Sequence, residues 1–289
     1  MGAAALATLP VYLASFGWMA DWLSAFQKTE EGYRAFNLAR YTLCLAVMLP
    51  STFCAGMTLP LLTRILVTSG RGERAVGWVY GVNTLGSIAG VVLAGALLLP
   101  LVGLKGTLVL GASIDMVLGA AIFFRMRDRS GARRKATIAV AVGAAIVLLV
   151  AFGASFDRRI LTSGVYRRGL IPTIGSLESL YYLDGRTATV SASRSVAGEV
   201  RISTNGKPDA SLPREWFEDG LPPVGLAGDD STQALSGLVA LAHVPDVRNV
   251  AVIGQGSGMT SHFVLGVPEV EEVVTIEIEP AMIEGSRVF

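Results

Sequence analysis

Residues 77–100 read GWVYGVNTLGSIAGVVLAGALLLP, a stretch without a single charged side chain. About 20 apolar residues in a helix cross the roughly 30 Å hydrocarbon core of a bilayer. In lipid only helices and closed barrels satisfy their own backbone polar groups. Four more apolar runs share residues 1–155 with this one, so five spans are expected, at 3–23, 41–67, 76–99, 106–124 and 136–154. The first is interrupted by Pro10 and closed by Asp21. Its start has no charged n-region followed by a cleavage site, which argues against a signal peptide.

The chain as a whole is 52% hydrophobic and 16% charged, but the excess is confined to its first half. A net charge of +1 with no clustered basic face excludes a nucleic-acid partner. Cys44 and Cys54 both lie in an apolar run and are read as small buried side chains. His243 and His262 stand singly, so no metal site is expected.

Within the third span Gly77, Gly81, Gly86, Gly90 and Ala94 keep a spacing of four to five, which lets helix backbones approach closely. Asn83 and Asp115 are polar at membrane depth. Asn83 is read as an interhelical hydrogen bond. Asp115 is read either as a paired group or as part of a substrate or ion path. The loop RMRDRSGARRK (125–135), with Arg71 and Arg74, favours a cytoplasmic side for itself. That would send the second half of the chain to the opposite side. A domain using a cofactor made in the cytoplasm should face the cytoplasm, and this second argument is preferred.

Residues 156–289 read as soluble protein. TATVSAS (187–193) and EVRIST (199–204) are β-branched and alternating, and Asn205-Gly206 ends the second as a tight turn. A loop-like stretch, 212–230, carries Pro213, Pro222 and Pro223. A helix follows over 230–244, with Asp230 or Ser231 as its expected N-cap.

NVAVIGQGSGM (249–259) then has the form of a buried strand running into a glycine turn and a helix to about Leu265. EEVVTIEIEP (271–280) is a second strand, and Pro280 opens another helix. Strand, GxGxG, helix and a strand ending in an acid form a nucleotide-binding βαβ arrangement. Gly254, Gly256 and Gly258 let the backbone turn and approach a ligand, with Gln255 and Ser257 between them. Glu277 stands where a carboxylate accepts ribose hydroxyls, and Glu279 is read as the cap of the next helix. The absence of GxxxxGK[ST] argues against a P-loop.

Three stretches together resemble the spermidine synthase family in its membrane-fused bacterial branch. They are PSTFCAGMTLPLLTR with the third and fourth spans, LYYLDGRTATVSAS with STNGKPDAS, and DSTQALSGLVALAHVPDVRNVAVIGQGSGM with VVTIEIEP. The resemblance implies an aminopropyltransferase using decarboxylated AdoMet, or AdoMet in a methyltransferase variant, and no metal. By position Gln233 matches a ligand-contacting Gln or His, Gly254 and Gly256 match loop glycines, and Glu277 matches the ribose acid. The family loop reads GGGDGG, but its Asp is Ser257 here, and the acid following the Gln or His is Ala234. The catalytic Asp-rich loop of the family has no counterpart in residues 1–289, so no catalytic residue is assigned.

The fold expected is a multi-span α-helical membrane domain (1–155), a small β-stranded entry domain (156–229), and the first half of an α/β nucleotide-binding, methyltransferase-like fold (230–289). With so few strands the chain is expected to be a piece of a longer protein. The expected setting is multi-pass in a bacterial inner membrane, the soluble part cytoplasmic. Its partners would be the bilayer, a small amine and a second copy of the chain. The alternatives are an AdoMet-dependent methyltransferase and a non-catalytic transport or sensor protein that uses Asp115.

Overall fold

The computed structural model describes residues 1–125, 130–218 and 228–289. Residues 126–129 of the basic loop and 219–227 of the loop-like stretch, including Pro222 and Pro223, lie outside the described residues. The chain divides into two compact units, Met1–Phe156 and Asp157–Phe289.

The first unit is helical: α1 (Gly2–Ala7), α2 (Leu9–Ala25), α3 (Glu30–Leu66), α4 (Arg74–Leu93), α5 (Leu99–Arg125) and α6 (Ser130–Gly153). Pro10 sits in the first turn of α2, where its missing N–H costs nothing. Thr29 caps α3, accepting from the Gly32 N–H at 3.1 Å. A small core joins α1, α2, α5 and α6 through Leu6, Leu9, Ala112 and Val150. Lys105 donates to the Ala154 carbonyl at 2.7 Å, just past the end of α6.

Among the described residues three helical stretches are long and apolar enough to cross a membrane: Gly2–Ala25, Glu30–Gly70 and Arg74–Phe123. A fourth is added if Thr137–Gly153 and Arg158–Arg167 count as one broken span. The expected runs 3–23 and 41–67 fall in the first two of these stretches, 76–99 and 106–124 both fall in the third, and 136–154 falls in the broken one. A π-helical turn, Ala94–Leu98, ends the run 76–99 within the 50 residues Arg74–Phe123. Gly103 interrupts this stretch with non-helical torsions (φ 70°, ψ 178°), between the two runs the sequence separates.

Helix α4 buries only Ala75. A Cβ placed on Gly77, Gly81, Gly86 or Gly90 would meet no atom within 4 Å, so no described helix of this chain occupies the small-residue face. Asn83 is exposed and makes no side-chain hydrogen bond among the described residues, contrary to the interhelical bond expected of it. Cys44 is exposed and Cys54 half-buried, both unpaired, so the buried reading of the two cysteines fails on the open face of α3. Asp115 is the paired group: its carboxylate accepts from the Gly2 N–H at 2.5 Å.

The second unit begins with two short helices, α7 (Arg158–Leu161) and α8 (Val165–Arg168). Four antiparallel strands follow in sequential order: β1 (Leu177–Asp184), β2 (Thr189–Ser195), β3 (Val200–Thr204) and β4 (Lys207–Leu212). Asn205 (φ 49°) and Gly206 (φ 75°) are both left-handed, the two-residue hairpin turn that matches strand twist. Side chains alternate across a strand, so Val190, Ala192, Ile202 and Ala210 share one face. That face packs on Ala281 and Met282.

Helix α9 (Asp229–Ala242), strand β5 (Asn249–Ile253), helix α10 (Met259–Leu265), strand β6 (Glu272–Ile276) and helix α11 (Pro280–Gly285) complete the unit. Strands β5 and β6 pair in parallel, Asn249 opposite Glu272 through Ile253 opposite Ile276, with α10 as the connection. The cap of α9 differs from expectation. Gly228 occupies it, at φ 79° and ψ −131°, and places Asp229 and Asp230 in the first turn. Negative charge there favours the helix dipole without a side-chain cap.

Candidate nucleoside site

The three motif glycines carry the bend between β5 and α10. Gly254 (φ 94°), Gly256 (φ 52°) and Gly258 (φ 84°) all take torsions that an L side chain adopts only with strain. The Gly254 N–H donates to the Ile276 carbonyl at 2.9 Å, extending the parallel ladder one residue beyond the strands. The Gly258 N–H then closes a turn on the Gln255 carbonyl at 2.8 Å. A Cβ on Gly254 would meet nothing within 4 Å, so the bend is bare on that side.

Glu277 leaves the end of β6 directed at the bend. One carboxylate oxygen, Oε2, accepts from the Gln255 N–H at 2.8 Å, and Oε1 accepts from the Glu279 N–H at 2.9 Å. Two main-chain donors thereby fix its direction. Each carboxylate oxygen has capacity for about two bonds, so one place on each is left for a ligand hydroxyl. Gln255 turns its side chain the other way, donating from Nε2 to Ser286 Oγ at 3.4 Å. Of the loop residues predicted as contacts, Gln255 therefore offers its backbone to the site.

The remaining predicted residues form a connected polar chain. Ser257 Oγ donates to Gln233 Oε1 and accepts from the Met259 N–H at 3.2 Å. Gln233 Nε2 donates to the Asp229 carboxylate at 3.3 Å and to the Ser211 carbonyl at 3.2 Å. Thr260 Oγ1 donates to the Gln233 carbonyl at 2.8 Å and ties α10 to α9. Asp229 is the residue that sequence reasoning passes over. It sits one helical turn before Gln233, the spacing at which helix side chains meet, and its carboxylate also accepts from the Ser211 N–H at 2.6 Å. A carboxylate thus stands two contacts from Ser257.

Glu279 is a structural acid, in keeping with its reading as a cap. It caps α11, accepting from the Ala281 N–H at 3.1 Å. The same carboxylate takes the Thr187 N–H (2.6 Å) and Thr187 Oγ1 (2.7 Å), clamping the β1–β2 turn to α11. Gly185 permits this approach, because a Cβ there would run into the Glu279 carboxylate. Burial raises the pKa of Glu279, but hydrogen bonds from Thr187, Ala281 and Ala188 outweigh it and hold the group below the usual 4.5. Tyr181, under α11, is shifted the other way. Burial raises its pKa first, and the charges of Glu284 and Glu279 add to the effect. Among the described residues no group of three or more His, Cys, Asp or Glu side chains is placed to hold a metal ion.

The geometry is therefore an open glycine bend, a strand-end carboxylate aimed at it, and a Gln–Ser–Asp chain along one side. Such an arrangement can hold a sugar by its vicinal hydroxyls and leave a polar flank for a second molecule. No family model matches the chain. It is similar to polyamine aminopropyltransferase 1 of Streptomyces coelicolor, with 28% identity over 243 residues, 81% of this chain and 41% of that relative. The chain thus spans less than half the length of the curated relative it matches. The likeness supports, at family level, a spermidine-synthase-like relationship for this protein.

Proposed function

We propose that this chain is part of a membrane-anchored, spermidine-synthase-like transferase whose bend at Gly254–Gly258 and carboxylate at Glu277 bind the adenosyl half of decarboxylated AdoMet. The observation that carries the reading is the pair of main-chain bonds that aim Glu277 at a bend left bare above Gly254. The two ribose hydroxyls donate to the free positions of the carboxylate. The backbone of Gln255 and Gly256 passes close beside the nucleoside. This directs the sulfonium and its propyl chain toward the Gln233–Ser257 flank.

In the reaction the amine lone pair attacks the propyl carbon next to sulfur. The carbon–sulfur bond breaks, its electrons neutralise the sulfonium, and methylthioadenosine leaves. The new ammonium then loses a proton. Positioning supplies most of the acceleration in such a displacement. The base that takes the proton is not assigned to any residue of this chain. Asp229, held by Ser211 and Gln233, is the carboxylate that meets the positive charge of the amine in place of the acids lost at Ser257 and Ala234.

The membrane anchor rests on the three apolar helical stretches, and the relative named above supports a bacterial setting. The soluble unit is assigned to the cytoplasmic side, where the donor is made. The test is calorimetry on detergent-solubilised protein with methylthioadenosine and with decarboxylated AdoMet, followed by analysis of the product formed on an added diamine. Saturable binding and a propylamine adduct support the proposal. Methyl transfer from intact AdoMet assigns the site to a methyltransferase, and no binding of either nucleoside rejects it.

A further inference from the structure

The face of the four-stranded sheet turned away from α11 is built differently from the core face. Alternation puts Ser191 and Ser193 of β2 and Arg201 and Ser203 of β3 on it. The register aligns them in two rows. Tyr182, Ser191 and Ser203 lie opposite one another across β1, β2 and β3, and Ser179, Ser193 and Arg201 form the next row. A sheet face left to solvent needs no cover, but this one has one. Helix α7 and Pro172 lie over it and enclose a cavity of about 130 Å³ lined by both rows, Arg158 and Arg159.

Three features set this cavity apart from a wetted surface. First, Ser179, Ser191, Ser193 and Ser203 make no side-chain hydrogen bond among the described residues, although Ser203 is buried. Second, all charged side chains in the lining are arginines, and no carboxylate lines it. Arg159 is neutralised by Asp157 at 3.2 Å and Arg201 by Glu199 at 2.9 Å, both from outside the cavity. Arg158 has no carboxylate within ion-pair distance among the described residues. It lies over the ring of Tyr182, 4.7 Å from the centroid, and leaves a positive charge at the cavity. Third, Arg201 keeps an unmet donor, since its Nε is buried with no acceptor.

We propose that this cavity is an anion site that takes a phosphate group. Hydroxyl donors rise from the flat serine rows, and guanidinium donors come from the cover above. A tetrahedral oxyanion accepts bonds from both directions at once, whereas the lone pairs of a carboxylate lie in one plane. The same chemistry is offered by inorganic phosphate, by a phosphorylated metabolite and by a phospholipid headgroup. Arg158 follows the end of the apolar helix α6, at Gly153, by only five residues.

The test titrates inorganic phosphate, at matched ionic strength, into the protein in phosphatidylcholine nanodiscs and follows heat by calorimetry. Saturable one-to-one binding is expected. Arg158→Gln and Ser193→Val should each weaken it at least about tenfold, the cost of a charge-assisted bond. Neither should alter affinity for methylthioadenosine. Ser193→Val puts a β-branched side chain in its strand, and an unchanged melting temperature shows that the sheet is intact. Repeating the titration in nanodiscs containing phosphatidic acid separates the sources. Weaker apparent phosphate binding there assigns the site to headgroups, and unchanged binding assigns it to a soluble phosphate. Absence of saturable binding, or equal affinity in wild type and both variants, overturns the proposal.

Discussion

Glu277→Gln is the substitution that separates ligand binding from folding most sharply. The carboxylate accepts from Gln255 and Glu279 N–H groups at 2.8 and 2.9 Å, so an amide can keep one of these bonds and must turn its NH2 group toward the other. A half-buried N–H left unmet costs about 1–3 kcal/mol, a modest fall in thermal stability. Binding should fall as well. Two hydroxyl bonds to an ionised acceptor are each worth about 1.5 kcal/mol at the low end of the range for charged groups. The amide loses one of them and keeps the other only to a neutral oxygen, which removes about 2 kcal/mol, or more than about tenfold in affinity. Calorimetry with methylthioadenosine reads this directly, and circular dichroism melting reads the folding term in the same sample. A change of less than about threefold in the dissociation constant, in protein that is still folded, would refute the ribose role of Glu277.

Three further outcomes follow from the same geometry. Glu279 has its carboxyl held below 4.5 in the folded protein, so its stabilisation is complete above that pH and is lost as pH falls through the depressed value. The acid-induced fall in melting temperature should flatten in Glu279→Gln, which is also less stable at neutral pH. Tyr181 has a buried hydroxyl with no hydrogen-bond partner among the described residues, so Tyr181→Phe should leave stability unchanged or raise it by up to about 1 kcal/mol, measured by urea unfolding. Ser257→Asp places a second carboxylate beside Gln233 and Asp229 and should tighten diamine binding at least about tenfold in calorimetry, without changing nucleoside affinity.

The local signals in the sequence are those set by backbone torsion and by period. Asn205-Gly206 is a turn because both residues must be left-handed, and Gly254, Gly256 and Gly258 form the bend for the same reason. The β-branched, alternating run TATVSAS puts Val190 and Ala192 on one face and Ser191 and Ser193 on the other. Strand β4 does not stand out from the loop after it, because KPDASL carries a proline and little β-branched character. The N-cap of α9 falls earlier than its sequence suggests, because Gly228 has no side chain to advertise the helix start.

What the sequence does not express is which partner a side chain finds across the fold. Asp229 looks like a helix-dipole acid until Ser211 and Gln233 are seen to converge on it. Asp115 and Asn83 are both polar residues in apolar runs, yet one meets the Gly2 N–H and the other meets no partner among the described residues. Apolar run length likewise counts residues and not breaks, so Gly103, rather than any polar interruption, marks the division within Arg74–Phe123. The cavity under α7 depends on cross-strand register, and no single segment carries it.

The most direct measurement is the structure of the protein bound to methylthioadenosine. It should show both ribose hydroxyls within about 2.6–3.2 Å of the Glu277 carboxylate and the sugar lying against Gly254, with the methylthio group facing Ser257 and Gln233. A nucleoside bound elsewhere, or a Glu277 carboxylate that makes no contact with the sugar, would contradict the account.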